Sequence, residues 1–241
     1  MRLLLPALIL CAASPVYAQD RALAFELGLG VRGGVVYEGA DSYEAGPTGT
    51  GSVNTFRMLG LNIERGDGLG FGFGPSFRYL AARTADDHPR LTGIEDVDSA
   101  LEIGGRISYR WENAEVWGAV RKGVTGHEGI VGDLGSDVIW EVARDTELRV
   151  GPRMTFANEE YMTTYFGVPA GASLAAYSPG GGLYKSGIEM TIRHDYNDVW
   201  AVEGALGWTR LVGDAGDSPV VENRDSGTIS LMVIRKFDWS W

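Results

Sequence analysis

A chain of 241 residues is long enough for one substantial domain and short for two. Its 32 acidic residues outnumber its 21 basic ones, and this net charge of −11 argues against a nucleic-acid partner. Thirty-five glycines, seven tryptophans and ten tyrosines favour strands and turns over helices.

The chain begins with the features of a secretory signal peptide. Arg2 precedes an apolar run over residues 3–13, and Val16 and Ala18 then place small or modest side chains at the −3 and −1 positions of a cleavage site. We therefore predict a cleaved signal peptide over residues 1–18, which sends the protein out of the cytoplasm.

The mature chain, predicted to span residues 19–241, has no cysteine, because Cys11 lies within the signal peptide. Leu10 stands where lipoprotein processing needs a small residue, so we do not expect a lipid anchor at Cys11. Beyond residue 20, no apolar run approaches the roughly 18 residues of a membrane-spanning helix. Two destinations remain: a soluble exported protein or the bacterial outer membrane.

Alternating apolar and polar residues decide between these destinations. In chain order the alternation covers residues 23–32, 69–79, 100–111, 147–156, 188–193 and 200–209. Successive side chains of a strand face opposite ways, so each stretch has one apolar face and one charged or small face. Several run for about ten residues, enough to cross a bilayer at a tilt and longer than the strands of most soluble sandwiches. We predict an all-β fold, a closed antiparallel transmembrane β-barrel.

Short and long connections alternate along the chain, as they do in outer-membrane barrels. Short segments rich in turn residues lie at 65–68, 111–114, 144–146 and 196–198. Longer segments lie at 37–50, 84–97, 123–128, 158–182 and 213–226. We therefore predict about ten strands, with short turns in the periplasm and long loops outside the cell. Pro47 and four glycines blur the pattern over residues 43–65, where a further hairpin would make twelve strands.

The predicted inward faces carry charges of both signs. The predicted lumen residues are Glu26, Arg32, Arg78, Glu102, Arg106, Arg110, Glu147, Arg149, Arg153, Glu189, Arg193 and Glu203. Both signs occur on neighbouring strands, so we expect carboxylate–guanidinium pairs across the interior. Wide aqueous channels belong to barrels of about sixteen strands or more. We predict a mostly filled barrel with a structural charge network, and keep a narrow or gated passage for small solutes or ions as the alternative.

The sequence lacks the usual arrangements of catalytic and metal-binding residues. Catalysis needs a nucleophile, a base and an orienting group close together, and neither HExxH nor GxSxG occurs. The candidates for a loop-based hydrolase are His88 or His127 with Asp86, Asp87 or Asp133. That reading is the weakest of the alternatives, and we predict a protein with no catalytic, cofactor or metal site.

Two of the predicted extracellular loops are acidic. Residues 84–98 contain five carboxylates and residues 213–225 contain four. We interpret them as a solvated outer surface, with divalent-cation bridging to lipopolysaccharide as the alternative. Residues 96–102 (DVDSALE) lack the central glycine and the frame of a calcium loop, so we reject an EF-hand.

The segment EEYMTTYFGV (159–168) combines acids with aromatic residues. If the preceding strand continues, its parity points Tyr161 and Tyr165 inward over the barrel mouth. We predict that this segment forms the root of the longest loop, with a short helical turn in residues 169–176. The alternative role, contact with a ligand or partner, would involve Tyr161, Tyr165 and Phe166.

Six stretches in order along the mature chain carry a resemblance to a known family. They are VRGGVVYEGADSY (31–43), GLGFGFGPSFRY (68–79), LTGIEDVDSALEIGG (91–105), GHEG (126–129), EEYMTTYFGV (159–168) and TRLVGDAGDSPVVENR (209–224). In these stretches the chain resembles the MipA/OmpV family of Gram-negative outer-membrane proteins. It departs from the family at its end, where four residues, Asp238 to Trp241, follow the expected terminal aromatic, Phe237.

The resemblance implies a non-enzymatic outer-membrane scaffold linked to murein turnover. Family members are named for interacting with a membrane-bound lytic transglycosylase, which the scaffold is thought to join to a bifunctional penicillin-binding protein. Other members are linked to osmotic response, adhesion or small-molecule uptake. The expected surroundings are outer-membrane lipid and lipopolysaccharide. The family supplies no agreed catalytic residues, so none is assigned to this chain.

Overall fold

The computed structural model describes residues 22–58, 61–64, 69–85 and 88–240. The predicted signal peptide, the predicted turn at 65–68, Asp86, Asp87 and Trp241 lie outside these ranges. The described elements are β1 (Ala22–Val35), β2 (Tyr43–Met58), β3 (Leu61–Glu64), β4 (Gly70–Leu80), β5 (Ala100–Arg110), β6 (Ala114–Gly123), β7 (Ile130–Ala143), β8 (Thr146–Ala157), α1 (Glu159–Phe166), β9 (Gly182–Asp195), β10 (Trp200–Leu211), α2 (Gly213–Asp217) and β11 (Asp225–Ser240). A 3-10 turn covers Pro89–Leu91.

The strands form one antiparallel sheet that curls into a barrel. Its order is β3-β2-β1-β11-β10-β9-β8-β7-β6-β5-β4. β2 also lies against β4, which brings the two ends of the sheet together into a nearly closed barrel. Ten of the described strands are 10 to 16 residues long, while β3 has four residues. The predicted β-barrel and its ten long strands are confirmed.

The region 43–65, where the sequence pattern is blurred, differs from the prediction. The loop predicted over 37–50 is shorter, since β2 already begins at Tyr43 and Pro47 pairs with Val31 of β1. On the side of β2 away from β1, no described strand pairs with Pro47. The absence of an N–H group in proline therefore removes no hydrogen bond on that side. Further on, β3 pairs only with the last four residues of β2, so no additional pair of spanning strands forms.

The two faces of the strands follow the predicted alternation. The large apolar residues that stay exposed on the outer face include Leu29, Phe71, Ile107, Leu134, Ile188, Leu206 and Leu231. Lipid requires such an apolar outer face, and the pairing of strands satisfies the backbone groups that would otherwise be bare in it. None of the helices in the described part of the chain has the length and apolar character needed to cross a membrane.

Short turns and long connections lie at opposite ends of the barrel. The short turns between β5 and β6, β7 and β8, and β9 and β10 lie where they were predicted. The turn between β7 and β8 uses Asp145 at φ 58°, a left-handed conformation that aspartate adopts more readily than most residues. Because short turns face the periplasm in such barrels, α1, α2 and the long connections lie at the extracellular end.

Candidate functional site

The charged residues of the barrel interior form the candidate site, and ten of the twelve predicted lumen residues are ion-paired. The pairs are Arg78–Glu102, Arg106–Glu115, Arg110–Glu147, Arg149–Glu147, Arg149–Glu115, Arg153–Glu189, Arg153–Asp137 and Arg193–Glu26. Two predicted members lie outside these pairs. Arg32 is exposed, and Glu203 has no ion-pair partner within 4.0 Å among the described residues.

In the extracellular half of the barrel, Glu102 is the centre of a four-residue group that we call the Glu102 cluster: Arg78, Glu102, Arg121 and His127. Arg78 donates to both carboxylate oxygens of Glu102, at 2.8 Å from Nε and 2.6 Å from Nη2. Arg121 donates from Nε to Oε2 at 3.1 Å. The Glu102 side chain is fully buried, so its charge depends on these guanidinium groups for compensation.

His127 completes the cluster in a defined tautomer. Its Nδ1 accepts the backbone N–H of Gly129 at 3.1 Å, so in the neutral ring the hydrogen sits on Nε2. That Nε2 lies 3.2 Å from Oε1 of Glu102, although without the geometry of a hydrogen bond. The His127 and Glu102 side chains are both inaccessible to solvent, so the ring supports the cluster and is closed to an external substrate.

Directly outside this cluster, the segment EEYMTTYF, predicted as the root of the longest loop, forms the helix α1. Asn158 is the N-cap: its side chain accepts the N–H of Tyr161 at 3.2 Å. The same oxygen accepts the N–H of Ile130 at 2.9 Å, which ties the helix start to β7. Glu159 and Glu160 occupy the first turn, where carboxylates interact favourably with the helix dipole. β8 therefore ends at Ala157 and does not continue into this segment, although Tyr161 and Tyr165 are buried at the barrel mouth, where the parity of a continuing strand had placed them.

The helix inserts aromatic side chains into the extracellular end of the barrel. We call this group the aromatic plug: Tyr161, Met162, Tyr165 and Phe166 of α1 with Tyr184 of β9, all buried. Their rings lie 4.5 to 5.8 Å apart, and the Tyr161 ring also meets the His127 ring edge-on at 5.1 Å. This burial does not fit the alternative role of these residues as partner contacts.

Two polar side chains hold the last turn of α1. Arg83 donates to the carbonyl oxygens of Tyr165 at 2.6 Å and Thr164 at 3.1 Å. Ser218 donates from Oγ to the carbonyl of Phe166 at 2.6 Å. These bonds satisfy carbonyls that a helix end leaves without intrahelical partners. The helical turn predicted in 169–176 does not form; instead a bridge between Val168 and Tyr177 closes that segment.

The remaining long connections pack over the plug as a second apolar cluster. Its buried members are Tyr37, Ala40, Leu91, Ile94, Val168 and Val220. The Tyr37 hydroxyl donates to Glu222 at 2.7 Å, and burial followed by this carboxylate raises the pKa of Tyr37. Burial, and then the charge of Glu38, also raises the pKa of Tyr161 and Tyr165, so all three phenols stay neutral. In the described part of the chain, packed side chains therefore fill the extracellular end of the barrel.

The periplasmic half of the interior is open instead. It contains a cavity of about 780 Å³, which we call the periplasmic cavity. Glu141, Asp145 and Asp195 line it at the turn end of the strands, and Trp117 and Arg153 line it near mid-barrel. Both Arg106 and Arg153 stack on Trp117, with guanidinium carbons 4.0 and 5.2 Å from a ring centroid. The interior thus ends in a pocket that faces the periplasm.

Several interior residues of β6 and β7 were not predicted, because the parity of these two strands was not followed. They are Glu115, Trp117, Arg121, Asp133 and Asp137. The signal was present, since these residues all take odd positions on two adjacent strands whose even positions include Val116, Val120, Leu134 and Val138. Read in the same way as the other strands, β6 and β7 would have supplied Glu115, Trp117 and Asp137 as partners of the predicted arginines, and Arg121 as a partner of Glu102.

Of the residues considered for a loop-based hydrolase, Asp86 and Asp87 lie outside the described residues, and His88, His127 and Asp133 each have other partners. His88 packs edge-on against Tyr37 with ring centroids 5.0 Å apart, and His127 is buried beside Glu102. Asp133 pairs with Arg121. Among the described residues, no group of three or more histidine, cysteine, aspartate or glutamate side chains has the arrangement of a metal site.

Comparison with solved structures returns outer-membrane barrels of low sequence identity. An outer membrane channel from Pseudomonas putida F1 is 9% identical with a TM-score of 0.48, over 92% of this chain and 98% of that chain. Outer membrane protein H (OprH) from P. aeruginosa is 12% identical with a TM-score of 0.37, over 88% and 99%. Neisserial surface protein A is 12% identical with a TM-score of 0.34, over 89% and 99%. Likenesses at these scores carry no argument about function.

No curated protein matches the chain. Residues 27–237, however, match the family described as MltA-interacting protein MipA. The match runs from within β1 to within β11 and so includes the Glu102 cluster, the aromatic plug and the periplasmic cavity. A Gram-negative outer-membrane location agrees with the barrel and with this match. As its six characteristic stretches predicted, the chain belongs to the MipA family.

Proposed function

We propose that this protein is a non-enzymatic outer-membrane scaffold that binds a murein lytic transglycosylase and, through it, a penicillin-binding protein. The observation that carries the proposal is the match of residues 27–237 to a family described by its interaction with MltA. The filled extracellular end agrees with it, because the described side chains of the aromatic plug and of the cluster above it occupy the mouth that an open channel would need. The partners would then meet the periplasmic rim, formed by the short turns.

Recovery of the transglycosylase from solubilised envelopes tests this proposal. One variant carries a ten-residue insertion in the periplasmic turn at 196–199, and a matched control carries the same insertion in the extracellular segment 169–176. We expect the wild type and the control to recover the enzyme, and the periplasmic insertion to recover much less. Turns and exposed loops tolerate insertions best, and heat-dependent gel mobility verifies folding of each variant. Failure of the folded wild type to recover any murein enzyme would overturn the proposal.

Removal of the tail, Asp238 to Trp241, is a weaker test because part of it belongs to the barrel. Trp239 pairs with Leu23 across β11 and β1, and its ring lies 5.6 Å from that of Phe25. Truncation would therefore disturb strand pairing as well as any surface for a partner.

The periplasmic cavity favours a second candidate, a gated passage for small solutes. Such a passage would require α1 to move, because the plug closes the other end of the cavity. Planar-bilayer recordings of the purified protein test it: discrete openings of the wild type would support a channel, and a silent bilayer would leave the scaffold as the sole proposal.

A further inference from the structure

The periplasmic cavity has the size and the access of a ligand site. Its volume of about 780 Å³ lies within the range of about 300–1,000 Å³ typical of small-molecule pockets. Asp145 and Thr146, at the turn between β7 and β8, line its open end, which faces the periplasm. Polar solutes of the periplasm therefore reach it without crossing the membrane.

Two arginines that line this cavity, Arg106 and Arg144, donate no hydrogen bond to the described residues; Arg144 is almost fully exposed at the rim, which leaves Arg106 as the one inside. Its Nη2 lies 3.6 Å from Glu115, but Arg149 holds that carboxylate more closely at 3.1 Å. Arg106 makes no hydrogen bond within the described part of the chain, and its side chain is 38% exposed. Its guanidinium carbon lies 4.0 Å from the centroid of the Trp117 ring, which orients the planar group. A fixed guanidinium of this kind binds a carboxylate through two parallel hydrogen bonds.

Glu203 is the complementary anion. It lines the same cavity from β10 and has neither a hydrogen bond nor an ion-pair partner within 4.0 Å among the described residues. Of the described residues around the cavity, nine carry carboxylates and six are arginines. This excess of negative charge opposes a purely anionic ligand, so a ligand of Arg106 must also bring positive charge.

We propose that the periplasmic cavity binds small zwitterions of the amino-acid or short-peptide class. The ligand carboxylate is held by Arg106 beside Trp117, and the ligand ammonium group is held by Glu203. This inference does not rest on the scaffold role, because it concerns the interior of the barrel and the scaffold proposal concerns its rim.

Calorimetric titration of the purified full-length protein in detergent tests this site. The probes are three dipeptides. Alanylalanine carries both end charges, N-acetyl-alanylalanine carries only the carboxylate, and alanylalanine amide carries only the ammonium group. We expect the free dipeptide to bind, and each blocked form to bind about tenfold more weakly or worse, since hydrogen bonds to charged groups are worth about that much.

Two variants assign the ends of the ligand. Arg106→Gln is expected to weaken alanylalanine about tenfold while leaving the already weak amide unchanged, because the amide has no carboxylate to lose. Glu203→Gln is expected to weaken alanylalanine similarly while leaving the acetylated form unchanged. Arg32→Gln is the matched control: it removes another interior-facing arginine, one that does not line the cavity, and should not change affinity.

Three results would overturn the proposal. The first is no binding of alanylalanine by folded wild type at millimolar concentration. The second is equal affinity for the free and blocked dipeptides. The third is an equal loss for Arg32→Gln and Arg106→Gln, which would indicate general electrostatics in place of a site.

Discussion

The two halves of the barrel interior contain the same arrangement of charges in different surroundings. In the extracellular half, Glu102 pairs with Arg78 and Arg121 and is fully buried under the aromatic plug. In the periplasmic half, Glu147 pairs with Arg110 and Arg149 but remains 20% exposed at the cavity. Glu102 and Glu147 are therefore both carboxylates between two guanidinium groups, and they differ in their access to water.

This difference decides what each group can do. A buried ion pair is costly to break, because removing one partner leaves a charge that water cannot reach. A pair exposed to solvent contributes little to stability, since water and salt replace its partner. The Glu102 cluster thus stabilises the closed end, while the solvent-exposed charges of the open end, such as Glu147, can exchange partners with a ligand at modest cost.

The largest expected effect is the loss of the buried carboxylate. Glu102→Gln leaves the guanidinium groups of Arg78 and Arg121 without their shared counterion, and Arg121 is itself buried. We expect the free energy of unfolding to fall by about 3–5 kcal/mol. Urea unfolding in phospholipid vesicles, followed by tryptophan fluorescence, measures it.

Glu147→Gln is the matched control for this change, because it removes the same group from the same arrangement in the open half. Its expected cost is about 1 kcal/mol or less. Equal losses for the two variants would contradict the division of the interior into a locked half and an open half.

The aromatic plug gives the next largest effect. Tyr161→Ala removes a fully buried ring that packs against His127 and Tyr184, at an expected cost of about 3 kcal/mol. The same change removes part of the seal, so we expect ion conductance in planar bilayers to rise above that of the wild type. Tyr196→Ala, at an exposed tyrosine of a periplasmic turn, is the control and should change neither quantity. A destabilised but still silent Tyr161→Ala barrel would show that other loops seal it.

Loss of the helix cap is expected to act locally. Asn158→Ala removes the acceptor for the N–H groups of Tyr161 and Ile130, at a cost of about 1 kcal/mol. Amide exchange measured by mass spectrometry should accelerate in α1 and remain unchanged in peptides of the periplasmic turns. Acceleration spread evenly over the barrel would mean that α1 does not open separately from the strands.

The strand faces were predictable from sequence, whereas the contrast between the two halves was not. A period of two assigns side chains to the two sides of a sheet, and that placed both Glu102 and Glu147 inside. What separates them is α1 and the loops packed over it, which depend on contacts between distant segments such as the bond from Ser218 to Phe166. The sequence did contain a signal for the start of α1, since Asn158, a favourable N-cap residue, precedes two acids. That signal was missed because the alternation of β8 was continued through residues 158–166.

The smallest expected effect is the response of the two carboxylates to salt, and it tests the comparison most directly. At about 1 M salt the screening length is about 3 Å, so charges that water reaches are largely screened. The cost of Glu147→Gln should therefore shrink towards zero between low and high salt, because ions enter the periplasmic cavity and screen Arg110 and Arg149. The cost of Glu102→Gln should stay the same, because ions do not reach a fully buried carboxylate. The measurement is a urea titration of the wild type and both variants at low and at high salt. Each variant is compared with the wild type at the same salt concentration, so general effects of salt on urea and lipid cancel. A parallel decline of both costs would mean that ions also reach the Glu102 cluster, and hence that the extracellular end is open to water.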